Sequence, residues 1–305
     1  MLNSSNNEKR LDGRSRDEFR PFKLEVGVVK NADGSAYIEL GKNKIIAAVY
    51  GPKEAHPKWL SQSDRCILKC RYHMLPFSTD TRKNPAPSRR EIEISKVIRE
   101  ALEPAIVVKN YPRTAIHIYI EVLQSDGGSR CAGITVAALA LADAGISMID
   151  LVVGCAAGKV DGKLVLDLSD LEDKEGQADL PIAIMPNLKR LTLMQLDGKL
   201  TPDEFDEAFK LALDGCYQLY DSQRNALFTK YFNVDQSVSE NVSEGVSENV
   251  SEGVSEGVSE GVSENVSEGV SESVSESVSE NVSESVSENV SEDPFKKVSD
   301  GDNLN

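Results

Sequence analysis

Histidine is scarce in this sequence: three residues of 305, His56, His73 and His117. None stands at a spacing that makes a nucleophile–histidine arrangement legible. His117 alternates with Ile116 and Ile118 and is expected to pack rather than react. The five cysteines, Cys66, Cys70, Cys131, Cys155 and Cys216, contain no C-x-x-C pair, which removes the usual signature of a zinc ribbon or a redox dithiol. They lie among apolar residues, Cys66 and Cys70 on one face of a strand, and are expected to be small buried thiols in a reducing, cytoplasmic compartment with no leader ahead of them. No apolar run approaches the roughly 18 residues that span a bilayer, so no membrane partner is expected. Tryptophan occurs once, at Trp59.

A positive net charge is also missing, and its absence misleads. The net charge is −16, but Val238 to Glu292 consists of fourteen unbroken copies of V-S-E-x, each with one glutamate and no cation. The residues after that repeat add one more net negative charge, which leaves about −1 for residues 1–237. Repulsion of a polyanion therefore belongs to the tail, and nucleic acid is not excluded as a partner of the folded part. In the repeat, valines four apart advance by about 400° on a helix and never build a face. On a strand neither side is apolar enough to bury. The tail, 234–305, is expected to be disordered, as is a polar N-terminus over 1–9, with one folded domain over 10–233.

Alternation predicts strands about Phe22–Val29, Ala36–Leu40 and Lys44–Tyr50 as an antiparallel meander, and another in "CILKCRYHML". "RREIEISKVIREALEP" has helical spacing, "TAIHIYIEVL" alternates as a strand, and "CAGITVAALALADAGI" reads as a helix buried on most sides. Two strands joined by "GKVDGK", a further strand pair around "NLKR" and a helix from about Pro202 to Tyr231 complete an α+β domain of mixed sheets packed with helices.

Three segments carry the candidate chemistry. In "SDGGSR", between a strand and a helix, Gly127 and Gly128 allow close backbone approach, and the N–H groups around Ser129 and Arg130 open the helix: either a phosphate seat or plain punctuation. Arg89 and Arg90 begin a helix where its dipole disfavours cations, which suits an anion-binding purpose or a solvated helix start. "LDLSDLEDKEGQAD" holds six carboxylates; a turn through Gly176 brings Asp179 back towards Asp173, and such a pair can share a divalent metal or keep one proton as a general acid. Asp167, Asp170, Glu172 and Glu175 are expected to be solvated turn residues. The spacing does not fit an EF-hand calcium loop.

Together, "LDGRSRDEFRP", "RYHMLPFS", "RKNPAPSRREIEISKVIREAL", "LQSDGGSRCAGITVAALALADAGI" and "LDLSDLEDKEGQADLPIA" resemble the ribonuclease PH superfamily, in the form of the catalytic ring subunit of archaeal exosomes. The resemblance covers about residues 9–230 and implies a ribonuclease PH-like domain of the ribosomal protein S5 domain 2-like fold. It implies a phosphate-dependent 3′→5′ exoribonuclease that releases nucleoside diphosphates and, in reverse, adds heteropolymeric tails. Arg89, Arg90, Gly128, Ser129 and Arg130 fall on its phosphate site, and Asp173 and Asp179 on its acidic pair, with magnesium as cofactor and inorganic phosphate as co-substrate. Asp173 is favoured as the acid and Asp179 as a metal ligand. Pro181 departs from polynucleotide phosphorylase relatives, which place lysine there, and loosens the expected metal site. Lys58 and Arg65 match the loop that lines the ring pore and meets RNA. Lys69, Arg71 and Arg82 add local positive charge. The implied partners are RNA, a related non-catalytic subunit completing a hexameric ring as a trimer of heterodimers, and RNA-binding cap proteins. A non-catalytic scaffold lacks the acid pair, and a homo-oligomeric transfer-RNA-trimming enzyme is the remaining alternative.

Overall fold

The computed structural model describes Arg10 and residues 12–255, with side chains through Phe232. The antiparallel meander is β1 (Phe22–Val26), β2 (Gly34–Leu40) and β3 (Asn43–Glu54). After it come β4 (Ile67–Met74), α1 (Arg89–Leu102), β5 (Thr114–Gln124) and α2 (Ser129–Asp143). The second half contains β6 (Val153–Val160), β7 (Lys163–Leu166), α3 (Asp170–Glu175), β8 (Ala178–Met185), β9 (Arg190–Met194), β10 (Asp197–Gly198) and α4 (Pro202–Ser255).

The first sheet has the order β1-β2-β3-β5-β4, and β4 runs parallel to β5 because α1 returns the chain between them. The second has the order β10-β8-β6-β7, with β9 also on β8. The small apolar residues of α2 let it pack against β2 and β3 of one sheet and β6 and β8 of the other, so nearly all its side chains are buried. Its own Ile134 and Leu139, and Ile38, Ile45, Ile98 and Ile118 of the neighbouring elements, are fully enclosed. Each such side chain stabilises the fold by about 1.5–3 kcal/mol. The sheets thus converge on the amino end of α2, where the "SDGGSR" turn lies.

The cysteines are all free thiols, and burial pushes those of Cys70 and Cys216 up to about 12. His73, unpartnered by spacing, lies opposite Glu121 in the parallel register, with Nδ1 and Oε2 2.6 Å apart. Among the described residues no helix is long and apolar enough to cross a membrane.

Two expectations are corrected. Asp167 and Glu172 are not solvated turn residues: they are 5% and 3% exposed and bound to arginines of the N-terminal segment. Arg10 Nε and Nη2 donate to the two Glu172 oxygens at 2.8 and 2.5 Å. Arg20 donates to Asp167 from its backbone N–H, Nε and Nη2 at 3.0, 2.8 and 2.6 Å, and Arg14 Nη1 is 3.5 Å from the same carboxylate. Burial works against the charge on Glu172, yet the Arg10 and Ser169 hydrogen bonds outweigh it and hold the carboxyl down at about 2. Sequence separations near 150 residues conceal these pairs.

The second difference concerns the repeat. The backbone of α4 is helical through Ser255, so the copies in 238–255 are helical where no structure was expected. Adding a residue to a formed helix costs far less than nucleating one. The chain divides into two units after Asp235. The expectations for 1–9 and for the repeats beyond Ser255 lie outside the described residues.

Candidate active site

A cavity of about 800 Å³ opens where the two sheets meet, and it gathers most of the residues singled out by pattern: Arg90, Gly128, Ser129, Arg130, Asp173 and Asp179. Its floor is the turn before α2. Gly127 and Gly128 both have left-handed backbone, φ 70° and 66°, and Gly128 caps the helix. A Cβ on Gly127 would stand 2.7–2.8 Å from the backbone of Ser169, Asp170 and Leu168, so glycine here lets the turn touch the segment that opens α3. Asn43 Nδ2 donates to the Gly127 carbonyl, and its Oδ1 accepts from Asp126 N at 2.6 Å. Thus fixed, the turn leaves the first N–H groups of α2 without intrahelical acceptors, beside the hydroxyl of Ser129, which accepts from Tyr72 Oη at 2.8 Å. The Gly127→Ala variant is expected to lower the melting temperature and the catalytic rate together. Its left-handed backbone alone costs an alanine about 1–2 kcal/mol, before the clash with Ser169 is counted. Thermal unfolding beside an activity assay checks this.

The arginine pair opens α1. Ser88 caps the helix, accepting from Glu91 N at 3.3 Å while Glu91 accepts from Ser88 N at 2.6 Å. Glu91 also accepts from Met74 N at 2.8 Å, so one buried carboxylate ties the start of α1 to the end of β4. That tether offsets the unfavourable placement of two cations at a helix amino end. Arg90 faces the cavity, whereas Arg89 does not line it. Arg130, on the first turn of α2, donates to Gln195.

On the other wall, Asp173 stands on α3 and Asp179 near the start of β8, with Gly176 between them. Burial, then the charge of Asp173, pushes Asp179 up to about 7, against the pull of Arg130. Asp173 is raised by burial and by Asp170 and Asp197, with Arg90 opposing. Asp179 Oδ1 is buried with no hydrogen-bond partner. The more enclosed member of the pair is therefore Asp179. Such burial is invisible in the spacing.

Pattern reading also missed three residues of the cavity. Asp197 lies opposite Asp179 in the β8–β10 register, Gln195 holds Arg130, and Lys83 reaches in from the loop before α1. Only the proximity of Lys83 to the arginine pair in the chain could have signalled it. Lys58 and Arg65 lie outside the cavity, on the segment ahead of β4, paired with Glu54 at 3.2 Å and Asp64 at 3.3 Å. Trp59, between them, is 80% exposed. Cations, open helix N–H groups and a carboxylate pair in one cavity can hold two anions together and manage a proton or a metal between them.

Many known proteins are similar to this chain. Residues 18–147 match the 3′ exoribonuclease family, domain 1, and residues 150–215 match its domain 2. The chain is similar to exosome complex component Rrp41 of Thermococcus kodakarensis, 60% identical over 235 residues, which covers 77% of this chain and 94% of that protein. It is 61% identical to the component of the same name from Pyrococcus abyssi over 232 residues, 76% and 93% of the two chains. Among solved structures, rice Rrp46 superposes with a TM-score of 0.64 at 22% identity, over 72% of this chain and all of that one. An Archaeoglobus fulgidus exosome with RNA bound to the active site gives 0.61 at 23% identity, over 70% and 92%. The last two likenesses concern the fold. Both domain matches fall on the sheets and helices that build the cavity, and with relatives at 60% identity across the folded part, the chain belongs to the 3′ exoribonuclease family.

Proposed function

We propose that the chain is a phosphate-dependent 3′→5′ exoribonuclease, the catalytic component of an exosome. The observation that carries this reading is the convergence of Arg90, the Gly128–Ser129–Arg130 helix start and the Asp173–Asp179 pair in one cavity. In the reaction an oxygen of inorganic phosphate attacks the phosphorus of the last phosphodiester, the bond to the 3′-oxygen of the penultimate nucleotide breaks, and that oxygen takes a proton. The products are a nucleoside diphosphate and an RNA one residue shorter. Arg90, Arg130 and the open N–H groups of α2 hold the attacking phosphate and screen it from the diester anion. Asp179 or Asp173 supplies the leaving oxygen with its proton.

Magnesium fits the acid pair. Among the described residues no group of three or more His, Cys, Asp or Glu is arranged to hold a metal. Magnesium, however, commonly takes one or two carboxylates and fills its remaining positions with water and substrate phosphates. The buried, unpartnered Asp179 Oδ1 and the nearby Asp173 are the two carboxylates that would hold it, and its charge would lower the repulsion between the two phosphates. The Rrp41 relatives are named as exosome components. That supports assembly with a related non-catalytic subunit into a hexameric ring, with RNA-binding caps, in the cytoplasm.

RNA with a free 3′ end should yield nucleoside diphosphates only when inorganic phosphate is present. Arg90→Ala should raise the phosphate concentration for half-maximal rate by roughly 10- to 100-fold, the worth of a charge-assisted hydrogen bond. An unchanged phosphate dependence would remove Arg90 from the site, and release of nucleoside monophosphates without phosphate would sink the phosphorolytic reading.

A further inference from the structure

One cation in the cavity has no task in the reaction as derived. Lys83 is half-buried on the loop between β4 and α1, and its ammonium is 2.9 Å from the Met74 sulfur. A thioether is a weak acceptor, and the ammonium carries three donors. Six carboxylates line the same cavity, yet among the described residues none makes an ion pair with Lys83. Of the neighbouring cations, Lys174 is paired with Asp170 and Arg130 is bound to Gln195, whereas Arg90, which like Lys83 makes no ion pair among the described residues, is already assigned to the attacking phosphate. A charge kept in a partly enclosed place without a counter-charge suits an anion that arrives.

The loop that carries it is held in place. Leu75 N donates to Val122 O at 3.1 Å, Ser125 N to Ser78 O at 2.8 Å, and Lys83 N to Pro76 O at 2.9 Å, which lays the loop across the end of β5 beside the α2 turn. Met74, buried at the end of β4, then fixes the lysine side chain. Two anions must meet in this cavity. Arg90 and Arg130, at the starts of α1 and α2, serve the attacking phosphate, and a second cationic contact is needed for the RNA strand.

We propose that Lys83 binds a backbone phosphate at the 3′ end of the RNA, a substrate contact separate from the inorganic phosphate seat. This rests on the phosphorolytic reading of the cavity. The side chain acts as a point charge, since an ammonium lacks the fork that fixes an attacking phosphate in one orientation.

The test compares full-length wild type, Lys83→Gln and Lys83→Arg in binding a short oligoribonucleotide across a salt series in phosphate-free buffer. Lys83→Gln should weaken binding by roughly 3- to 10-fold near 0.1 M salt, with log K against log salt shallower by about 0.7, the single-strand value for one phosphate contact. Lys83→Arg should restore most of the affinity. The phosphate concentration for half-maximal rate should be unchanged in Lys83→Gln, which separates this residue from Arg90. Unchanged affinity and salt slope would overturn the proposal, as would a raised phosphate requirement at unchanged RNA affinity. Thermal unfolding checks that Lys83→Gln is folded, and Lys83→Met, which keeps an apolar contact with Met74, gives a second reading of the same quantities. Failure of the wild type to release nucleoside diphosphates would defeat the phosphorolytic reading alone, because RNA affinity is read without phosphate.

Discussion

Asp173→Asn is expected to reduce nucleoside diphosphate release by about 10²- to 10⁴-fold, the range that separates a positioned proton donor or acceptor from none. Asparagine keeps the volume and loses the ionisable oxygen, so RNA binding should stay within about twofold of wild type. The Asp173 side chain on α3 makes, among the described residues, no hydrogen bond that holds the fold, so the loss should be catalytic rather than structural. Asp179→Asn should be comparably severe, and for an additional reason. Its Oδ1 is buried without a partner, and an amide there is at best a neutral, weaker metal ligand and carries no mobile proton. Single-turnover release of labelled diphosphate, measured beside RNA affinity, separates the two effects. If either variant degrades RNA at the wild-type rate, the acid pair is misassigned.

The largest effect on stability should come from Asp167→Ala. Its carboxylate accepts three hydrogen bonds from Arg20, which is 5% exposed and also donates to the Asp126 carbonyl. Burial disfavours the Arg20 charge, and the bonds to Asp167, then its charge, outweigh that and raise the guanidinium pKa. Removing the acid leaves the buried Arg20 cation, among the described residues, only the Asp126 carboxylate at 3.4 Å as counter-charge, a change that costs about 3–5 kcal/mol. For a folded part of this size that lowers the melting temperature by roughly 6–20 °C. The same guanidinium binds the turn proposed to seat phosphate, so residual activity should fall further than the folded fraction does. Calorimetry beside an activity titration tests both parts, and an unchanged melting temperature would show that the Arg20–Asp167 contact contributes little.

Local pattern sufficed for most of the elements and for much of the cavity. Strand alternation and helical spacing follow from side-chain direction along the backbone, so the meander, the buried α2 and the amphipathic α1 were legible one segment at a time. The glycine pair before α2 and the arginine pair opening α1 were visible because an anion site at helix starts calls for those residue types. Asp197, Gln195 and Lys83 were not legible. Each comes from a loop or a two-residue strand without a pattern of its own and matters only through what stands opposite it.

Asp167 and Glu172 mark the boundary between the two kinds of knowledge. In the sequence they are two carboxylates in an acidic run, and solvation is the ordinary fate of such residues. In the fold they are the buried acceptors of Arg10, Arg14 and Arg20, brought from about 150 residues away. By itself the sequence determined most of the element types, the family resemblance and the residue kinds at the acid pair, because these depend on periodicity and on chemistry within short segments. The tertiary structure alone decided which of six carboxylates are structural, which member of the acid pair is the more enclosed, and that Lys83 joins the cavity. Charge state depends on burial and on partners across space, and neither is a property of a residue's neighbours in the chain.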